Sequence, residues 1–390
     1  MMIDRPAIAT LPGSKIREVA NAGMGRADVL AFWFGESDEV TPLAVREAAQ
    51  ASLQAGETFY SHNLGLPELR EALATYTAAL HRPVGVDRVA VTSSGVSALM
   101  LAQQWLLNPG DEVVAVVPVW PNLTAQPQIL GASVRRVALR PDTLGRWALD
   151  LDELLAAITS RTRLLLVNAP NNPTGWCLSS AEQAAILAHC RRTGTWVLAD
   201  EVYERIWFGT PARGEWACAP SFLDVADEQD RLVVAHSFSK SFLMTGWRLG
   251  WLVLPPGAIV PMGKLIEFNT SCAPVFVQRA GLAALQMQAA WVPDLVARLR
   301  GCRDTLTQAL QALPGLGVAV PEGGLYAFLQ VPQEPDSLAL ATRLVRDHGL
   351  GLAPGAAFGV EGEGWLRWCF ASQDPLRLLE GVRRLRAGLA

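Results

Sequence analysis

Residues 232–254 read LVVAHSFSKSFLMTGWRLGWLVL. Two apolar runs, 232–235 and 249–254, enclose a polar stretch that holds Ser237, Ser239, Lys240 and Arg248. Apolar runs this short are the mark of strands buried on both faces. Polar side chains gathered just past such a run stand at a strand end, where the ligands of open α/β sheets bind. A lone lysine after a strand is more often a solvated surface residue, so the reading of Lys240 depends on what accompanies it.

The same texture recurs outward from this stretch. Runs at 113–117, 133–137, 164–167 and 195–199 read as strands, and helical patterns at 96–107, 151–158 and 181–190 lie between several of them. Such alternation points to an α/β domain with a mostly parallel sheet covered by helices. Beyond residue 255 the pattern changes to a long helical stretch, 275–313, a break at Pro314-Gly315-Leu316-Gly317, and short strands near 318–320 and 326–329. Helices near 338–347 and 375–387 follow. The last sets Leu376, Leu379, Val382 and Leu385 on one face, opposite Arg377, Glu380 and Arg384. The expected division is an N-terminal segment, 1–45, serving the small domain and contacts between subunits, a large domain, 46–273, and a small α+β domain, 274–390.

Composition narrows the function. Half of the 390 residues are hydrophobic, 18% are charged and the net charge is −4, which suits a globular protein with no pull towards nucleic acid or an anionic membrane. No run of eighteen apolar residues occurs, and charges among the first twenty residues argue against a secretion signal. Six scattered cysteines without a C-x-x-C pair suggest reduced thiols and a cytoplasmic setting. Five dispersed histidines give no metal-ligand spacing. Of 33 basic residues only Lys15, Lys240 and Lys264 are lysine, so amine chemistry has three candidates.

Three more segments sit at expected strand ends. Asn168-Ala169-Pro170-Asn171-Asn172-Pro173-Thr174-Gly175 follows the run 164–167, and Asp200-Glu201-Val202-Tyr203 follows 195–199. Thr92-Ser93-Ser94-Gly95-Val96 opens a helix after residues 89–91. Each alone is a turn, a cap or a helix start. Together, and in this order, they resemble the fold-type-I pyridoxal-phosphate aminotransferases, the class I/II family that includes the aspartate aminotransferases. The resemblance covers essentially the whole chain.

That resemblance implies a seven-stranded sheet and a pyridoxal 5′-phosphate cofactor bound to Lys240 as a Schiff base. It sets Asp200 at the pyridine nitrogen, Asn172 and Tyr203 at the phenolic oxygen, and Trp120 against the ring. The phosphate would lie at the helix start formed by Ser94, Gly95 and Val96, with Ser237 and Arg248 completing its shell. Ser239 is either a further phosphate ligand or a packing residue. Arg367, in Trp365-Leu366-Arg367-Trp368, would clamp the substrate carboxylate as a planar fork. Gly35 and Asn172 would lie beside the substrate, and Tyr60 would reach the cofactor of the neighbouring subunit in a homodimer. The expected reaction is ping-pong transamination between an α-amino acid and a 2-oxo acid, with Lys240 moving the proton and Asp200 and Tyr203 supporting it. A carbon–sulfur β-lyase or cyclising synthase shares the same residues, and a ligand-sensing module without catalysis is the more distant rival. Glu267 aligns near an arginine that dicarboxylate-specific relatives use. It is either a group that disfavours acidic substrates or a solvated helix residue.

Overall fold

The apolar runs become strands, and in the computed structural model, which describes residues 4–143, 145–210 and 217–390, seven of them share one sheet. They are β1 (Val89–Thr92), β2 (Glu112–Val117), β3 (Ser133–Ala138), β4 (Thr162–Asn168), β5 (Trp196–Asp200), β6 (Leu232–Ser237) and β7 (Gly250–Val253). Their spatial order is β1-β7-β6-β5-β4-β2-β3. All neighbours are parallel except β7, which runs antiparallel to both β6 and β1. The reason lies in the link from β6 to β7. A parallel return needs a crossover packed on one face of the sheet, and residues 238–249 supply only the short turn Thr245–Trp247.

The central strands are buried along their length, whereas β3, on the edge, exposes Arg135 and Arg136. Charged residues on an edge strand discourage pairing with another sheet. Helix α1 (Lys15–Gly23) packs on the helix Ser337–His348, α2 (Gly95–Leu106) on one face of this sheet, and α3 (Val275–Gln311) on the helices Leu43–Gln54 and Pro375–Leu389. The helix Ser180–Thr193 shows how local sequence sets its bounds. Ser179 and Glu182 form a capping box at its start, and Gly194, in the left-handed conformation, closes it.

A second, antiparallel sheet contains β8 (Gly317–Val318), β9 (Tyr326–Gln330), β10 (Ala353–Pro354) and β11 (Trp365–Cys369), in the order β8-β9-β11-β10. Its core is aromatic, with Trp365 within 5.1 Å of Phe328 and 4.8 Å of Trp147, centroid to centroid. The N-terminal segment returns to this region, since Leu30–Ala31 pairs in parallel with Leu350–Gly351.

Register sets the site. Asn168 lies opposite Asp200, and Asp200 opposite Ala235. Ser237 lies opposite Gly250, and Gly250 opposite Thr92. The four sequence segments thus end side by side along one edge of the large sheet. Glycine lets α2 press against that edge: a Cβ on Gly250 would fall 2.6 Å from the Gly95 nitrogen.

Candidate active site

A cavity of about 240 Å³ opens along this edge. It is lined by Gly35, Gly95, Val96, Trp120, Asn172, Asp200, Tyr203, Ser237, Ser239, Lys240, Arg248 and Arg367, which brings together nearly every residue singled out from the sequence. Ile16, Phe34, Leu99, Asn168, Val202, Thr245 and Tyr326 complete the wall.

Two adjacent carboxylates at the end of β5 have opposite fates. Successive side chains of a strand point to opposite faces. Glu201 accepts from Ser221 Oγ at 2.5 Å and from the Phe222 N–H at 3.0 Å, so its role is structural. Asp200 lines the cavity, is 2% exposed, and its Oδ1 has no hydrogen-bond partner among the described residues. Burial pushes its pKa up to about 7, with the Val202 N–H and the Lys240 ammonium only partly offsetting that. A buried carboxylate oxygen without a partner is costly and calls for a donor that the described residues do not supply. A protonated pyridine nitrogen is such a donor.

Lys240 enters from the loop after β6, and its Nζ donates to the Gly35 carbonyl at 2.8 Å. Burial lowers its pKa to about 8, and Arg367 and Arg248 push the same way against the opposing pull of Cys369 and Glu36. The amine is therefore more readily neutral, and more nucleophilic, than an ordinary lysine. The other two lysines, Lys15 and Lys264, are absent from the cavity wall.

The start of α2 forms a cradle for an anion. Its first N–H groups have no partners within the helix and carry the positive end of its dipole. Ser94 caps the helix, accepting from the Ser97 N–H at 3.0 Å, and adopts φ of 126°, a strained conformation for a residue other than glycine. Ser237 Oγ donates to Ser239 Oγ at 2.9 Å and accepts from the Ser239 N–H at 3.1 Å, which places both hydroxyls on the cavity wall beside this helix end. Arg248, also left-handed with φ of 57°, is held by its Nη1 donating to the Thr245 carbonyl at 2.6 Å. An anion fits this end of the cavity.

At the opposite wall Arg367 is 2% exposed and has no acidic partner among the described residues. Its Nη1 donates to Asn172 Oδ1 at 3.0 Å, its Nη2 to the Trp33 carbonyl, and its Nε to nothing. The rings of Tyr326 and Phe358 lie 4.4 and 4.8 Å from its guanidinium carbon. A buried, oriented and unpaired arginine is suited to receive a carboxylate. Asn172 is fixed in turn by its N–H, which donates to Asn168 Oδ1 at 2.7 Å. Tyr203 Oη lies 2.6 Å from Tyr326 Oη, a residue that the sequence reading missed. Its signal was rarity, since the chain has four tyrosines and this one begins a buried strand.

Some residues lie elsewhere. Tyr60 is 87% exposed and is not on the cavity wall of its own chain. Glu267 is exposed on the helix Ile259–Thr270, also off the wall, which favours the solvated reading of that residue. Sequence spacing gave no metal pattern, yet folding gathers Glu201, Glu204 and His236, with ligand atoms within 4.8 Å of one another. These acids are already engaged: Glu204 accepts from Tyr76 Oη at 3.2 Å and meets His81 Nε2 at 3.2 Å. Burial alone would raise Glu204, but His236, His81 and Arg205 outweigh it and hold the carboxyl at about 2.

Known proteins share this fold. Residues 28–385 match the model of the family described as aminotransferase class I and II. The chain is 31% identical to an aspartate aminotransferase of Pyrococcus horikoshii over 96% of its own length and 94% of that protein's. It is 33% identical to an arginine–pyruvate transaminase of Pseudomonas aeruginosa, covering 95% and 92%. The structure of a Thermus thermophilus aspartate aminotransferase with maleate superposes with a TM-score of 0.90 at 30% identity, covering all of both chains.

Proposed function

The chain belongs to the class I and II aminotransferase family, whose members move amino groups between α-amino acids and 2-oxo acids, and we propose that it does so with pyridoxal 5′-phosphate held at Lys240. The unpartnered buried oxygen of Asp200 carries this reading. When bound, the cofactor supplies an aldehyde that condenses with amines and a ring that accepts the electron pair released as the Cα–H bond breaks. Asp200 would hold a proton at the ring nitrogen, its burial strengthening that ion pair. The N-terminus of α2, with Ser237, Ser239 and Arg248, would hold the phosphate, Asn172 and Tyr203 the phenolic oxygen, and Trp120 the ring face.

Arg367 binds the substrate carboxylate, which fixes the rotation of the substrate about its Cα. Lys240 Nζ would be the general base and acid that moves the substrate Cα proton. The products would be the matching 2-oxo acid and, from a second 2-oxo acid, a new amino acid. The relatives named above are transaminases, which favours this course over elimination.

Three further features belong to the proposal. The substrate side chain is neutral, because the wall left after these assignments is apolar at Ile16, Phe34, Leu99 and Val202 and carries no charged residue, so a buried second carboxylate would lack a cation. The active unit is a homodimer. Phe59, Tyr60 and Phe268 are 83%, 87% and 89% exposed, and hydrogen bonds from Ser61 and Asn63 tie their loop to Cys272 and Gly263, at and just beyond the helix that carries Phe268. Exposed aromatics in one patch mark an interaction surface, and Tyr60 would then reach the partner's phosphate. The setting is cytoplasmic, in keeping with six unpaired cysteines.

Borohydride reduction of the loaded protein, followed by peptide mapping, tests the site. The pyridoxyl label belongs on Lys240, and a label on Lys15 or Lys264 would refute the assignment.

A further inference from the structure

Tyr326 begins β9, is 1% exposed, and faces different partners with its ring and its hydroxyl. Its ring centroid lies 4.4 Å from the Arg367 guanidinium carbon. Its hydroxyl lies 2.6 Å from the Tyr203 hydroxyl. It also explains Gly35, since a Cβ there would fall 1.9 Å from the Tyr326 oxygen. One side chain thus joins the carboxylate-binding arginine, the phenol of Tyr203 and the loop whose carbonyl holds Lys240.

Two phenols at this distance share one hydrogen bond, and the one that accepts keeps its own proton for a third partner. A cation against a phenol ring makes that O–H the stronger donor. Tyr326 has the closer cation, Arg367 at 4.4 Å from its ring centroid, against 5.7 Å from Lys240 Nζ to the Tyr203 ring. Burial pushes Tyr326 up to about 12, with Arg367 pulling it back, Cys369 and Asp200 raising it, and Tyr203 helping to lower it. Tyr203 is raised further, by burial first and then by Tyr326 itself, so both hydroxyls stay protonated across the working range of pH. This asymmetry favours Tyr326 as the donor to Tyr203 and leaves the Tyr203 proton for a third partner.

We propose that Tyr326 is a positioning residue coupling Arg367 to Tyr203, so that seating a carboxylate on Arg367 weakens the hydrogen bond that Tyr203 offers to the cofactor's ring oxygen. The inference rests on reading the cavity as a pyridoxal-phosphate site. A bound carboxylate neutralises the cation against the Tyr326 ring, the Tyr326 hydroxyl then donates less strongly, and Tyr203 follows. Asn172 provides a second route, through its 3.0 Å hydrogen bond from Arg367, so Tyr326 carries only part of the coupling.

Tyr326→Phe keeps the ring beside Arg367 and removes only the hydroxyl. The pH titration of the visible absorption band of the cofactor-loaded enzyme reads the surroundings of the ring oxygen without turnover. In Tyr326→Phe its midpoint rises by roughly half a pH unit, the scale of cooperative strengthening in a chain of two hydrogen bonds. 4-Methylpentanoate, a carboxylate without an amino group, moves the wild-type midpoint at concentrations that inhibit turnover, and moves that of Tyr326→Phe clearly less. Tyr326→Phe lowers kcat with KM little changed, whereas Tyr326→Leu, which also loses the ring, raises KM as well.

An unshifted midpoint in Tyr326→Phe, or equal responses of both proteins to 4-methylpentanoate, overturns the coupling even if the variant is slow. A wild-type midpoint indifferent to 4-methylpentanoate does the same. Borohydride labelling of the same preparations separates these failures from that of the site itself, in which no label appears on Lys240.

Discussion

Replacing Asp200 by asparagine stabilises the cofactor-free protein while abolishing most of its activity. The carboxylate is 2% exposed with one oxygen unpartnered, and burial raises its pKa from an ordinary 3.8 to about 7. The folded chain therefore binds this proton more tightly than the unfolded chain. Between pH 4 and pH 7 the folded state keeps a proton that the unfolded state has lost, so stability falls as pH rises through that window. The two values differ by about 3, which at 1.36 kcal/mol each makes a penalty of about 4 kcal/mol above pH 7. Asparagine cannot ionise and keeps an oxygen for the Val202 N–H. Its imperfectly bonded amide gives back about 1–2 kcal/mol of the gain. The net stabilisation is then about 2–3 kcal/mol at pH 8, vanishing or reversing below pH 5. Urea unfolding of both cofactor-free proteins at pH 4.5, 6 and 8 measures it. A variant no more stable than wild type at pH 8, or a difference independent of pH, would refute the reasoning that Asp200 is an unmatched charge awaiting a ligand. Stability withheld in this way is the usual companion of a prepared site.

The remaining expectations concern Lys240, Arg367 and the substrate side chain. Because Lys240 is lowered to about 8, loading of pyridoxal 5′-phosphate onto the cofactor-free protein accelerates with pH and levels off near pH 8; a rate still climbing tenfold per unit above pH 9.5 would show an ordinary lysine. Arg367→Lys loses the planar fork and leaves Asn172 Oδ1 without its donor, so KM for the amino acid rises by about 10- to 100-fold while cofactor affinity holds. An unchanged KM in steady-state assays contradicts the role of Arg367. Leucine, methionine or phenylalanine surpasses aspartate in kcat/KM by roughly 100-fold, the scale of leaving a carboxylate unpaired. A preference for aspartate would mean that a cation reaches the side chain from outside the wall described, the partner subunit included.

What could be read from the sequence follows from how the site is built. Lys240, Asp200, Asn172 and the Gly95 helix start each lie within a few residues of a buried apolar run, so strand ends marked them locally. Tyr326, Ile16 and Phe34 reach the cavity from the second sheet, α1 and the N-terminal segment, all outside the large sheet, and no local pattern announces that. Rarity singled out Tyr60 and would equally have singled out Tyr326. The reversed direction of β7 was hidden for a related reason: an apolar run looks the same from either end, and only the short link before it reveals the turn. The different fates of Asp200 and Glu201 needed the Ser221 and Phe222 partners, which lie twenty residues further along.

A single half-reaction tests the central claim most directly. The loaded protein is mixed with one amino acid and no oxo acid, and the visible band, 2-oxo acid and ammonia are followed together. The expected result is loss of the band with one equivalent of the matching 2-oxo acid per site, no free ammonia, and recovery of the band when a second 2-oxo acid is added. Continued release of ammonia and an oxo acid from the one substrate, with the band persisting, would contradict transamination and identify an eliminating enzyme.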